Sequence, residues 1–296
     1  MLQNIWHFVA DNADRFFHAS PARLWFGAFA VGIVVERLAT NAEAGQSYRG
    51  YLRNAAYSLI YLAAIVLAAP PVYGVLAVIR AQIGAAGGLV DLQIVDNSTY
   101  LHQVVIFVIF FLIIDFFQYW WHRAQHWVPV LWDQHAVHHS EEAMNVTTAT
   151  RHHWSEFVFQ AFVISLPVGF LFKITPAGAG IVATAFGSWQ FFVHSNMRLN
   201  LGPVTRVLAG PQIHRIHHSR LPQHLDRNFA AYFPIWDMLF GTYYHPAPGE
   251  FPPTGISGTR IESVWGLSIY PFVRWSHRIG RAMRRARRRD QPPALL

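Results

Sequence analysis

The feature that most limits the fold is the apolar stretch from Leu101 to Trp121, in which Asp115 is the only formally charged residue. A helix needs about 20 mostly apolar residues to cross the hydrocarbon core of a bilayer. Backbone polar groups in that core must be satisfied within the protein, so helices or closed barrels are the structures that cross it. The stretch therefore predicts a membrane-spanning helix.

Other stretches extend this prediction to much of the chain. Ala55–Ile79 is uncharged and long enough to cross with a kink at Pro70 and Pro71. Shorter apolar segments follow the same pattern at Leu24–Val35, Phe157–Phe172 and Ala179–Val193. The chain is 53% hydrophobic and 13% charged, whereas soluble domains are about one quarter charged. These features predict an all-α integral membrane protein with four or five transmembrane or shallow hairpin helices.

The arginines predict how the chain is oriented. Residues 36–53 are basic, and so is the C-terminal end, with Arg278, Arg281, Arg284, Arg285, Arg287, Arg288 and Arg289. Positive loops face the cytoplasm, so the N-terminus is expected outside and residues 122–156 inside. A hairpin over residues 157–193 returns the chain to the same side. The first twenty residues lack the pattern of a cleaved signal, so internal segments are expected to direct membrane insertion.

Histidines are concentrated where the apolar stretch ends. The chain has 17 of them, and three clusters contain His122 and His126; His135, His138 and His139; and His214, His217 and His218. Residues three or four apart share a helix face. The side chains of His122 and His126 would therefore point to the same side, and so would those of His135 and either His138 or His139. Eight imidazoles exceed the needs of one metal ion, which favours two ions. Imidazole suits zinc, copper, iron and nickel, so the metal stays open.

Several familiar sites are excluded. There is no cysteine, which removes disulfides, thiolate metal sites and cysteine nucleophiles. No H-E-x-x-H string of a zinc peptidase, P-loop, G-x-S-x-G or dinucleotide-binding motif occurs. Haem held between spanning helices would need ligands in mid-span, whereas these histidines lie at or beyond the span ends.

The clusters and their surroundings resemble the fatty acid hydroxylase/sterol desaturase superfamily of membrane-bound di-iron oxygenases. The resemblance covers roughly Asp115 to His245 and includes "DFFQYWWHRAQH", "LWDQHAVHHS", "FVHSN" and "DRNFAAYFPIWDMLFGT". It is greatest to the bacterial sterol-desaturase-type, alkylglycerol-monooxygenase-like branch. The resemblance implies two iron ions, O2 as oxidant, and a membrane lipid that is hydroxylated or desaturated.

The same resemblance implies particular ligands and an electron supply. The eight clustered histidines are expected to bind metal, with His194 as a ninth ligand. His153 resembles a further family position but could equally orient Glu156 or cap a helix. Arg198 stands where some relatives have another histidine. No fused cytochrome b5 segment is present, so a separate ferredoxin, cytochrome b5 or reductase is expected to deliver electrons; a pterin requirement stays open.

Metal-bound histidines usually donate their second ring N–H to a carboxylate, carbonyl or water. Asp115 is a candidate for this role, because Tyr119, His122 and His126 follow it at helical spacing; at about 10 Å of rise it would act through an intermediary or on a histidine of another cluster. The alternative for Asp115 is a structural aspartate held by hydrogen bonds. Further candidates are Glu156, Asp226, Asn228 and Asp237. Helix capping or a solvated loop explains each of these residues equally well.

We divide the chain into membrane anchor spans (1–100), a catalytic di-metal region (101–246) and a C-terminal loop and basic tail (247–296). Arg281, Arg284, Arg285 and Arg288 recur at helical spacing in the tail, which predicts binding to anionic lipid headgroups. No nucleic acid partner is expected, because no base-reading module accompanies the arginines.

Two other functions remain open at this point. One is a zinc-dependent hydrolase built on the same scaffold, and the other is a histidine-rich protein that handles or transports metal. Transport would require ionisable residues along the spans, where Asp115 is nearly alone.

Overall fold

A computed structural model describes residues 20–40, 48–84, 88–92, 99–173 and 176–289. Helices dominate this part of the chain, as predicted. The long helices are α1 (Ser20–Ala39), α2 (Tyr48–Gln82), α3 (Tyr100–Trp127), α7 (Pro176–Val193) and α10 (Val264–Arg289). The expectation for the N-terminus rests on residues 1–19, which lie outside the described residues.

Within the described ranges, two helices are long and apolar enough to cross a membrane, α2 and α3. Helix α2 continues through Pro70 and Pro71 rather than ending there. Helices α1 and α7 occupy two of the other predicted segments, and residues 156–171 form a shorter apolar stretch. The count of four or five crossings and the side on which the histidines lie stay predictions.

The shorter elements surround the histidines. They are α4 (Pro129–His139), α5 (Glu156–Gln160), α6 (Leu166–Leu171), α8 (Pro211–His217) and α9 (Ile235–Leu239). A π-helical turn at Ala161–Ser165 joins α5 to α6. Proline opens both α4 and α8, a position where its missing N–H costs no intrahelical bond. A two-residue parallel pair of β1 (Val90–Asp91) with β2 (Phe172–Lys173) departs from the predicted all-α fold.

The core between α3 and the segment 226–242 explains where Asp115 belongs. Apolar side chains of α3 pack with Phe172 and Tyr232, and the buried Asp115 carboxylate lies beside them. It accepts the backbone N–H groups of Tyr232 at 3.1 Å and Phe233 at 2.8 Å. These hydrogen bonds support the structural alternative for Asp115, because they anchor the backbone of the 226–242 segment to α3.

A buried arginine fixes the C-terminal end of α4. The Arg151 side chain is fully buried and donates to the Val137 carbonyl at 2.9 Å and to the Glu141 carboxylate at 2.9 Å. Its other partners are Asn54 Oδ1, Ser140 Oγ and the Ile261 carbonyl. These hydrogen bonds satisfy the guanidinium, as a buried charge requires. Helix α4 is thereby joined to α2 and to the segment that precedes α10.

Candidate metal centre

The predicted histidines lie together in two groups. The five-histidine group contains His122, His126, His135, His139 and His217, and the four-histidine group contains His138, His194, His214 and His218. Within each group the possible ligand atoms all lie within 4.8 Å of one another. Residues almost a hundred positions apart therefore converge on two neighbouring points.

Helix geometry explains why each H-x-x-H-H segment serves both groups. On α4, His135 and His139 are four residues apart and share a face, whereas His138 is turned by about 100° from its neighbour. His138 therefore belongs to the four-histidine group. The second segment has the reverse division, with His214 in the four-histidine group and His217 in the five-histidine group.

The five-histidine group has too many short nitrogen–nitrogen distances for all of them to be hydrogen bonds. His139 Nε2 lies 3.1 Å from the Nε2 atoms of His126, His135 and His217. An imidazole nitrogen has either one N–H or one lone pair, so it cannot bond to three others. Lone pairs that converge on one point are arranged as ligands of a cation.

The four-histidine group shows the same close approach. His194 Nε2 lies 3.1 Å from His138 Nε2 and 2.9 Å from His214 Nε2, and His214 Nε2 lies 3.2 Å from His218 Nε2. Two imidazole nitrogens about 2.1 Å from one ion and at right angles to each other would be about 3.0 Å apart. The donor set and spacing of both groups therefore fit metal ions.

Two rings of the five-histidine group are oriented by backbone carbonyls of one loop, Asp226–Phe229, which we name the orienting loop. His217 Nδ1 donates to the carbonyl of Arg227 at 2.8 Å, and His122 Nδ1 donates to that of Phe229 at 2.8 Å. With the proton on Nδ1, the Nε2 lone pair faces the group.

A third ring is oriented by the first side chain of the same loop. Asp226 Oδ1 accepts from His126 Nδ1 at 3.2 Å, a carboxylate–histidine pair of the kind that fixes ring direction at metal sites. The hydrogen bond from His126 lowers the pKa of Asp226. Asp226 and Asn228 both have a φ of 57°, in the left-handed region that aspartate and asparagine enter more readily than most residues.

Two further candidates brace the orienting loop rather than touch a ring. The Asp237 carboxylate accepts the backbone N–H groups of Phe229 at 2.7 Å and Ala230 at 2.9 Å. The Asn228 side chain accepts the backbone N–H of Tyr244 at 2.8 Å and donates to the Tyr244 carbonyl at 3.1 Å. Both act on the histidines through the position of the loop.

The four-histidine group has fewer such supports. His194 Nδ1 donates to the carbonyl of Gln190, one turn earlier in the chain, at 2.7 Å. The Nδ1 atoms of His138 and His218 are buried and have no hydrogen-bond partner in the part of the chain that the structure describes. Packing of α4, α7 and α8 positions these two rings.

Sequence reasoning missed His152, which lies between the groups. Its Nδ1 donates to Glu156 Oε2 at 3.2 Å, and its ring stacks on that of His138 with centroids 4.2 Å apart. The same carboxylate oxygen accepts from Gln125 at 2.7 Å and lies 3.8 Å from His135 Nδ1. Burial would raise the pKa of Glu156, but the nearby histidines lower it below its usual value. The spacing of four between His152 and Glu156 was the available signal.

His153 lies outside both groups, so the structure does not support it as a ligand. Its Nδ1 lies 2.7 Å from Ser155 Oγ, and its Nε2 lies 3.0 Å from the carbonyl of Ser268. The backbone N–H of His153 faces Glu156 at 3.3 Å. The residue therefore joins the start of α5 to α10.

Burial keeps the grouped imidazoles neutral. It lowers the pKa of His135 to about 4 and that of His194 to about 3. It lowers the pKa of the other grouped histidines outside the candidate spans well below the ordinary value, namely His138, His139, His214, His217 and His218. Metal ligation requires the neutral ring, so these residues need lose no proton near pH 7.

A cavity of about 380 Å³ reaches the histidines from the apolar helices. Trp121 of α3 and Phe186 and Phe191 of α7 form part of its wall. The grouped histidines that line it are His122, His135, His138 and His214. This cavity therefore connects aromatic side chains of α3 and α7 with both histidine groups.

A second cavity, of about 360 Å³, reaches other members of the five-histidine group. His126, His139 and His217 line it together with Asp226 and Trp132. The Trp132 ring centroid lies 5.0 Å from that of His126 and 5.5 Å from that of His139. Among the described residues, the two cavities share no lining residue, so the histidines have two separate approaches.

Comparison with known families agrees with this geometry. The family model for fatty acid hydroxylase matches residues 107–242, which include every histidine of the two groups. The chain carries a fatty acid hydroxylase domain. This confirms the resemblance to the fatty acid hydroxylase/sterol desaturase superfamily that the histidine clusters indicated.

The relatives that match this chain include proteins named for the oxidation of an alkylglycerol or an ornithine lipid. The chain is 38% identical to alkylglycerol monooxygenase of Xenopus tropicalis over 133 residues, 45% of this chain and 29% of that protein. It is 33% identical to the Homo sapiens enzyme over 167 residues, 52% and 36% of the two chains. Against ornithine lipid hydroxylase OlsE of Rhizobium tropici it is 30% identical over 180 residues, 60% and 53%.

The matched regions cover about half of this chain and between 29% and 53% of these relatives. Their names, monooxygenase and hydroxylase, support an oxidoreductase enzyme. No solved structure matches the chain.

Proposed function

We propose that this chain is a membrane-bound oxidoreductase that uses O2 to hydroxylate a C–H bond of a membrane lipid at a di-iron centre. One observation carries the proposal: imidazole nitrogens approach one another to 2.9–3.2 Å in two neighbouring groups, inside a domain shared with named lipid hydroxylases. Hydroxylation is preferred to desaturation because the relatives described above are named for oxygen insertion.

The five-histidine group would hold one ion and the four-histidine group the other. Neutral imidazoles bind iron without cancelling its charge, and iron is one of the metals that such ligands suit. When bound, the iron pair supplies the electron transfer to O2 on which C–H oxidation depends, while the protein supplies position and water exclusion. The orienting loop keeps three Nε2 lone pairs directed at one ion, since His126, His122 and His217 each give their other ring nitrogen to it.

The first cavity fits a lipid that carries a polar group near the reacting carbon. Its wall combines aromatic side chains with Gln118, Gln125, Gln160, Gln190 and Glu156. An alkyl chain would lie along the aromatic wall, and a nearby oxygen or nitrogen of the substrate would meet the amides. The relatives are named for alkylglycerols and an ornithine lipid, both of which join a polar head to apolar chains.

The second cavity provides a separate approach for electrons. Trp132 forms part of its wall beside the rings of His126 and His139. An external ferredoxin, cytochrome b5 or reductase that docks over this opening would be close to the five-histidine group without displacing the lipid.

The test is metal content and product formation by the full chain in lipid nanodiscs. After anaerobic purification we expect two iron ions per chain, one for each histidine group. With mixed membrane lipids, a reductant and ¹⁸O2, mass spectrometry should find a lipid that has gained one labelled oxygen atom. Omitting either O2 or reductant should prevent its formation.

The alternatives give different results. A zinc hydrolase would contain zinc and would release lipid fragments without O2 or reductant. A metal-handling protein would bind metal but change no lipid under any of these conditions. A product that lacks two hydrogens and carries no label would show desaturation, and it would overturn the hydroxylation assignment.

A further inference from the structure

Helix α10 leaves an apolar stripe uncovered. Its exposed members are spaced by seven, seven and four residues, so they lie along one side of the helix: Trp265 (72% exposed), Phe272 (42%), Ile279 (61%) and Met283 (54%). We name these four residues the outer stripe. From its first member to its last it extends about 27 Å at the rise of an α-helix.

The opposite side of α10 is fixed to the protein. Leu267 is fully buried and packs with Tyr57 of α2 and Val137 of α4. Farther along the helix, Arg278 and Arg274 pair with the Asp133 carboxylate, which is 1% exposed. A buried carboxylate bound by two arginines resists separation, because either partner left alone would be an unpaired buried charge. The outer stripe therefore cannot rotate inward.

The attachments place α10 at the level where the candidate spans end. Helix α4, which α10 contacts, begins at Pro129, just after α3 ends at Trp127. The Trp275 indole N–H donates to the carbonyl of Val130 at 3.0 Å, in the first turn of α4. Tyr57, which Leu267 contacts, lies near the start of α2. Two consecutive crossings of a bilayer by α2 and α3 would place the start of α2 and the end of α3 on the same side.

The side of α10 away from the stripe is cationic toward the C-terminal end of the helix. His277, Arg281, Arg284 and Arg285 are exposed, and α10 contains no acidic residue. A helix at a membrane boundary with apolar side chains on one side and arginines on another matches an interfacial amphipathic helix.

We propose that the outer stripe lies in the headgroup region of an anionic bilayer, and that α10 thereby sets the depth of the histidine groups relative to the lipid. The link runs through Asp133, which is two residues before His135 on α4. This goes beyond the proposed function and requires only that the chain is in a membrane; it holds whichever reaction the histidines perform.

Site-directed spin labelling tests the proposal directly, because the chain has no cysteine of its own. The full chain, in nanodiscs of phosphatidylcholine with or without phosphatidylglycerol, would carry a nitroxide at Ile279→Cys or Met283→Cys. The matched control is His277→Cys, an exposed position on another side of the same helix. Each variant is used only if its thermal unfolding midpoint matches that of the parent.

At residues 279 and 283 we expect collision with O2 to exceed collision with a water-soluble nickel chelate, at a depth of about 5–10 Å below the phosphates. The control position should show the opposite ratio. Phosphatidylglycerol should increase the depth, and Arg281→Gln/Arg284→Gln/Arg285→Gln should remove that increase. Equal nickel access at all three positions would overturn the proposal, as would dipolar broadening between labels of two copies. A label depth that does not change with phosphatidylglycerol would overturn the proposed dependence on anionic lipid.

Discussion

In the five-histidine group, three rings give their second nitrogen to one four-residue loop, and His135 has a buried Nδ1 with no hydrogen-bond partner among the described residues. In the four-histidine group only His194 is seen to give its Nδ1 to a carbonyl, and two of the other rings have a buried Nδ1 with no such partner in the described part of the chain. The same ligand atom, Nε2, is presented in both. Three rings of the first group are therefore held by hydrogen bonds before any ion arrives, whereas the second group depends mainly on helix packing. Outer hydrogen bonds commonly change metal affinity by about 10–100-fold, so the two groups should differ in how firmly they retain a metal.

The largest effect is expected from the nitrogen at the centre of each group. His139→Gln and His194→Gln should each abolish lipid oxidation and lower metal content by one ion per chain, because each removes an Nε2 that lies within 3.1 Å of two or more others. Metal analysis beside product detection makes the measurement. The matched control is His153→Gln, a buried histidine outside both groups, which should keep both ions. Loss of both ions from either variant would show that the groups are not separate sites.

The next effect comes from the orienting loop. Asp226→Ala removes the carboxylate that accepts from His126 and should weaken metal binding to the five-histidine group by about 10–100-fold. Competition titration with a coloured chelator measures it. Glu262→Ala, an exposed carboxylate elsewhere (63% exposed side chain), serves as control. If Asp226→Ala releases the metal of the four-histidine group instead, the assignment of the loop to one group is wrong.

A smaller difference should appear in the unmodified protein. A chelator should remove metal in two phases, with the four-histidine group losing its ion several-fold faster because it has fewer ligands and fewer hydrogen bonds to its rings. Timed chelation followed by metal analysis gives the two rates. In His194→Gln the fast phase should be absent, and in Asp226→Ala the five-histidine group should lose its ion first, because a weakening of about 10–100-fold exceeds the several-fold difference between the groups. A single phase in the unmodified protein would contradict the comparison.

The smallest effect is expected at the residue that touches both groups. Glu156 faces His135 of one group and, through His152, the ring of His138 of the other. Glu156→Gln keeps the shape but removes the charge, so both ions should be held a few-fold less tightly and to the same extent. The chelation assay measures this. A change confined to one phase would show that Glu156 supports one group alone.

The sequence predicted which histidines meet but not how they divide. Spacing of three or four residues indicated shared helix faces, and it left open whether His135 pairs with His138 or His139. The division depends on the rotation of α4 relative to α8, which only the packing of the two helices determines. The ninth histidine, His194, came from the family resemblance rather than from spacing, because it follows the end of α7 with no other histidine beside it in the sequence.

Residues whose role depends on distant backbone were the hardest to predict. Asp115 lies on the same face of α3 as His122. It nevertheless accepts the backbone N–H groups of Tyr232 and Phe233, which are more than a hundred residues away in the sequence. Asp226 and Asn228 could have been ordinary loop residues, since nothing local shows that their loop folds against three imidazoles. The number of crossings was ambiguous for a different reason: segments of about 12–16 apolar residues are shorter than a bilayer core.

Because adjacent histidines of α4 belong to different groups, a rotation of α4 about its own axis moves ligands of both groups. A small rotation about the helix axis that brings His135 and His139 toward their ion carries His138 away from the other, and α8 has the reverse arrangement through His217 and His214. An ion bound to one group would thus change the distance between the ligands of the other group and their ion, through rigid rotation of the helix alone. The binding of the two ions would therefore be coupled although they share no ligand.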